Sequence, residues 1–134
     1  MEQIKKILFT SESVSEGHPD KVCDQISDAI LDACLVSDPD SHVACEVYAT
    51  GNFILVGGEI TTKSKINVKG IVKDVLKSIG YDKKALGTDY HTVKIIDKIK
   101  KQSPDINMGV NQEKQEDKGA GDQGMMFGYA TNES

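Results

Sequence analysis

His18 and Asp20 stand two positions apart in the stretch SEGHPDKVCDQISDAILDA, where an apolar helical period begins. The start of a helix presents unpaired backbone N–H groups and the positive end of the helix dipole, which favour an anion nearby. A protonated imidazole there can donate to a phosphate or a leaving oxygen. A carboxylate there can serve as a Mg²⁺ ligand, since Mg²⁺ at nucleotide sites takes one or two carboxylates beside phosphate oxygens. Taken singly, His18 reads as a solvent-exposed turn histidine and Asp20 as simple compensation of the dipole. A second pair, Glu46 and Glu59, sits in two alternating segments, VACEVYAT and FILVGGEI, whose pairing decides whether the two carboxylates meet.

Three elements must position these groups. From Pro19 to Ser37 the residues Val22, Ile26, Ala29, Ile30, Ala33 and Val36 recur at helical spacing, with Pro19 suited to a first turn and Ser37-Asp38-Pro39 ending the pattern. Gly51-Asn52 between the alternating segments predicts a two-residue hairpin turn. The register then follows, with Thr50 facing Phe53, Tyr48 facing Leu55, Glu46 facing Gly57 and Ala44 facing Glu59. One hairpin face is apolar, and the other carries Glu46 and Glu59 as diagonal neighbours. Small residues opposite them, Gly57 and Ala44, leave room for a cation or a ligand amine. The plain alternative is two glutamates on a solvated strand face.

A second helix is predicted from Asn67, its N-cap, to Ile79, with Gly80 as the stop. His91 to Ile99 alternates as a third strand. Lys101 to Lys118 has no apolar period and carries Pro104 and Gly109, which marks a long loop of lid or linker type. The glycine-rich turn Gly119 to Gly124 leads into a short apolar strand; no Gly-Lys-Ser/Thr follows, so it is not a Walker P-loop. With a further strand before the first helix, the order predicts an α+β two-layer domain, its mostly antiparallel or mixed sheet covered by helices on one face.

A net charge of −5 argues against a nucleic-acid or anionic-membrane partner, which requires a basic face. A bound polyanion would need divalent metal or basic residues from elsewhere. Cys23, Cys34 and Cys45 lack CxxC spacing and read as buried thiols. With neither a long apolar run nor a signal-like N-terminus, the sequence is expected to be cytoplasmic.

Together the blocks FTSESVSEGHPDKVCDQISDAILDA, VACEVY, LVGGEITT, KQSPDI and GAGDQGMMFGYATNE resemble, in order and spacing, the N-terminal part of the S-adenosylmethionine synthetase (methionine adenosyltransferase) family. The resemblance covers nearly the whole chain. It implies attack of the methionine sulfur on the 5′ carbon of ATP, with tripolyphosphate displaced and then hydrolysed to phosphate and pyrophosphate, in the presence of Mg²⁺ and K⁺. It further implies that His18 is catalytic and contacts the phosphates near the breaking bond. Asp20 is implied as a Mg²⁺ ligand and Glu46 as a K⁺-site carboxylate. Glu59 and Gln102 are implied contacts of methionine, Asp122 a residue of both the nucleotide and methionine pockets, and Glu12 a neighbour of the phosphates.

The same resemblance implies an N-terminal domain over residues 1–101, an active-site loop over 102–118 and the start of a central domain over 119–134. Family members are longer, built of β-α-β-β-α-β units, and pair as homodimers or homotetramers through their sheet faces. The phosphate-clamping lysines and arginine of the family fall beyond the matched blocks, so this chain is expected to be inactive alone. The competing expectation is a truncated homologue serving as a non-catalytic assembly or binding module.

Overall fold

The computed structural model of the protein describes residues 8, 10–100, 123–130 and 132. Its elements are α1 (Pro19–Ser37), β1 (His42–Thr50), β2 (Phe53–Thr61), α2 (Val68–Ile79), a short 3₁₀ turn (Lys84–Leu86) and β3 (Lys94–Lys100). The α+β expectation holds.

Local chemistry accounts for the element ends. Pro19 opens α1 at a position where a missing N–H costs nothing, and Asp38 closes it, its N–H bonded to the Cys34 carbonyl. Asn67 caps α2 as expected, its side-chain oxygen accepting from the Gly70 N–H at 3.1 Å. At the other end Gly80 adopts φ 96°, and the Tyr81 N–H returns to the Leu76 carbonyl at 2.9 Å. That backward bond with a left-handed glycine is a Schellman ending.

The sheet order is β1-β2-β3. Strands β1 and β2 are antiparallel in the expected register, including Thr50 with Phe53 and Glu46 with Gly57. Strand β3 joins β2 in parallel, Phe53 beside Lys94 and Glu59 beside Lys100, so the sheet is mixed. A parallel neighbour demands a crossover, and α2 supplies it.

Both helices lie on one face. Val22, Ile26, Ile30 and Cys34 of α1 and Val72 and Leu76 of α2 pack against the inward residues of the sheet. Ile26, Ile30, Val72 and Leu76 are fully buried, and burial of each stabilises the fold by roughly 1.5–3 kcal/mol. Gly58 lies on this inner face at φ 111°, and a Cβ there would run into the Ala44 carbonyl of the neighbouring strand. Only glycine permits that approach.

Two expectations are corrected. The third strand starts at Lys94, not at His91, because the Asp89 carboxylate accepts from the His91 N–H and the Thr92 hydroxyl and folds those residues into a turn. Residues 123–130 form no strand; Met125, Met126 and Phe127 are exposed, with glycines on either side and no neighbouring strand pairing them. The strand expected before α1, the loop over 102–118, and Gln102 and Asp122 lie outside the described residues. Among the described residues no helix is long and apolar enough to cross a membrane.

Candidate functional site

His18 is the N-cap of α1: its Nδ1 accepts from the Asp20 backbone N–H at 3.1 Å. A nitrogen that accepts carries no proton, so this bond leaves Nε2 as the donor atom of the neutral ring. The Asp20 carboxylate is well exposed and lies 3.9 Å from the same Nδ1. An open carboxylate of this kind suits a cation that keeps most of its ligands from water and phosphate.

The backbone leading into His18 is held from two sides. Its N–H bonds to the Ser15 carbonyl at 3.0 Å. Gln25 of α1 donates to the Glu16 carbonyl at 2.9 Å, and the Tyr81 hydroxyl donates to the Gly17 carbonyl. Beside this turn is a cavity of about 50 Å³, bordered by Gly17, Pro19, Ala49, Gly51, Tyr81 and Thr88. Pockets for drug-sized ligands run from about 300 Å³ upward, so a nucleotide does not fit inside it. Glu12 is exposed in the coil before the turn.

Glu46 and Glu59 lie on the outer sheet face, as the register required. Glu46 is exposed and Glu59 half-buried, with Gly57 and Ala44 opposite them. Tyr48 is 60% exposed there, and among the described residues no helix packs on that side. The parallel register adds what sequence reasoning missed: Lys98 falls in the row of Gly57 and Glu46, and Lys100 in the row of Glu59 and Ala44. A basic residue therefore stands directly beside Glu59, whereas Glu46 has Gly57 of β2 between it and Lys98. The alternation of Lys94 and Lys98 was the available signal, but no turn fixed which residues of β2 they would meet.

These two groups of candidates do not converge within one chain. Helix α1 starts beside Thr50 and Gly51 on the inner face, whereas Glu46 and Glu59 occupy the outer face. Along β1, Glu46 is displaced from Thr50 by roughly 14 Å at about 3.4 Å per residue. A layer of sheet separates the histidine end from the glutamate pair. Among the described residues no cluster of three or more metal-capable side chains forms.

Other polar groups have structural work. The buried Asp38 carboxylate accepts from the Lys63 N–H at 2.7 Å and the Thr62 hydroxyl at 3.3 Å, while the Ser64 hydroxyl donates to the Cys34 carbonyl. The Lys63 backbone N–H, above all, holds the Asp38 carboxyl below the usual carboxylate range. Cys34 is buried as expected, but Cys23 and Cys45 are only half-buried. Desolvation raises all three thiols, Cys45 to about 11, so they stay protonated and unreactive near neutrality.

Comparison with known proteins agrees with the resemblance. The family model described as "S-adenosylmethionine synthetase, N-terminal domain" matches residues 6–104. A protein of Mesoplasma florum named S-adenosylmethionine synthase is 58% identical over 127 residues, covering 95% of this chain and 33% of that protein. Proteins of the same name from Mycoplasma mycoides subsp. mycoides SC and Solidesulfovibrio magneticus are 57% identical over 133 residues and 54% over 129. The first covers 99% of this chain and 34% of the relative, the second 96% and 33%. The chain thus spans about a third of the length of the curated relatives it matches. From residue 6 to residue 104 the helix-capping histidine, the hairpin and the glutamate face all fall within the matched model, and the chain belongs to the S-adenosylmethionine synthetase family.

Proposed function

We propose that this chain is the N-terminal portion of an enzyme that makes S-adenosylmethionine from ATP and L-methionine, releasing phosphate and pyrophosphate. The observation that carries the reading is the outer sheet face, uncovered among the described residues, with Glu46 and Glu59 among Tyr48, Phe53 and Leu55, on the opposite side from His18. An apolar face with charges set into it suits burial against a second copy. The groups that one chain keeps apart would then meet across a homodimer or a tetramer of such pairs.

In this reading the His18 Nε2–H donates to the phosphate oxygen that gains charge as the bond to the 5′ carbon breaks, and Glu12 lies near the same phosphates. Glu59 receives the methionine ammonium, with Gln102 and Asp122 completing that pocket and Asp122 also serving the nucleotide. Asp20 would hold Mg²⁺ and Glu46 K⁺; both carboxylates are exposed and have lone pairs to offer. Bound metal would supply neutralisation of the triphosphate charge. Residues 1–101 form the N-terminal domain, 102–118 the active-site loop and 119–134 the opening of the next domain. The reading carries with it a cytoplasmic location and no nucleic-acid or membrane partner.

Mass-spectrometric detection of S-adenosylmethionine tests the proposal directly. The 134-residue chain and a longer product of the same reading frame are each incubated with ATP, methionine, Mg²⁺ and K⁺. Product from the longer chain alone is expected. Absence of product from both would favour a non-catalytic assembly module instead.

A further inference from the structure

We infer that Tyr81 is a positioning residue for His18, acting through the two carbonyls that precede the histidine, with Gln25 as its companion. Four observations meet at this point. The Tyr81 hydroxyl donates to the Gly17 carbonyl across 64 positions of sequence, and Gln25 donates to the adjacent Glu16 carbonyl at 2.9 Å. Tyr81 is itself fixed from both sides, its N–H on the Leu76 carbonyl at the end of α2 and its carbonyl accepting from the Tyr90 N–H at 2.9 Å. Gly17 fits closely under the ring, since a Cβ there would lie 3.1 Å from the Tyr81 hydroxyl oxygen. Finally, His18 makes its own capping bond through Nδ1, so the direction of the peptide plane before it decides whether that bond closes.

The physical consequence runs through the tautomer. With both carbonyls held, the His18 backbone stays extended at φ −64° and ψ 138°, and its ring caps the helix with Nδ1. Release of the Gly17 carbonyl leaves that peptide held only by the His18 N–H on the Ser15 carbonyl, which widens its swing and loosens the Nδ1 bond. The proton then has less reason to reside on Nε2, the atom the proposed chemistry uses. The inference rests on the functional reading only for that last clause.

The test is the imidazole nitrogen spectrum of His18 in the ¹⁵N-labelled 134-residue chain, compared with its Tyr81→Phe variant. Wild type is expected as the Nε2–H form, and loss of one hydrogen bond is expected to shift the tautomer ratio about fivefold toward Nδ1–H. Thr88→Val, at the border of the same cavity but not on the turn, is expected to leave the ratio unchanged. An unaltered His18 spectrum in a folded Tyr81→Phe chain overturns the inference. Should Tyr81→Phe fail to fold, Gln25→Met, which removes the companion donor, decides by the same readout. In the longer product, Tyr81→Phe is expected to lower kcat with little change in KM. A shifted tautomer with unchanged kcat would leave the positioning intact and count against the catalytic role of His18.

Discussion

His18 is an unusual helix cap, since serine, threonine, aspartate and asparagine are the common choices. A histidine in that place stabilises the helix with one nitrogen and keeps the other for a ligand, so structure and chemistry do not compete for the same atom. Glu59 differs: it is half-buried on the sheet face opposite α1 and α2 and has Lys100 beside it. Replacing it with glutamine keeps the shape and removes the charge. In the longer product, Glu59→Gln is expected to raise the methionine KM about tenfold or more while ATP dependence stays near wild type, as initial-rate kinetics would register. Equal effects on both substrates would count against the methionine assignment.

At the level of elements, α1, the hairpin and α2 could be read from sequence because each carries its own punctuation. Pro19, the Gly51-Asn52 turn, Asn67 and Gly80 all act on residues next to them, and period and register follow from such local marks. Strand β3 was harder. Its start is set by the Asp89 side chain and its neighbour by a crossover, neither of which leaves a local signature. Tyr81 escaped notice for the same reason, its partner Gly17 being remote in sequence. The capping assignment has a simple check: Asn67→Ala removes the acceptor for the Gly70 N–H and is expected to destabilise the domain by about 1 kcal/mol in urea unfolding.

Across the whole molecule, Asp38 ties the end of α1 to the segment that leaves β2, through Lys63 and Thr62. Its carboxyl is held below the ordinary range, so the folded state binds this proton less readily than the unfolded chain does. The linked stability is present above the unfolded carboxylate value and is lost as pH falls through the lower folded value. Unfolding curves taken from about pH 5 to about pH 2 are expected to steepen below pH 4 in wild type and to flatten in Asp38→Asn. The mixed sheet also governs the order of assembly. In the antiparallel hairpin, pairing begins at neighbours three positions apart and closes outward. Every pair between β2 and β3 is instead separated by 41 positions, so no short contact starts that seam. Loop-closure entropy must be met all at once, and α2 has to be in place to meet it. Strand β3 is therefore expected to join the sheet last during folding, and only that step sets Lys100 beside Glu59.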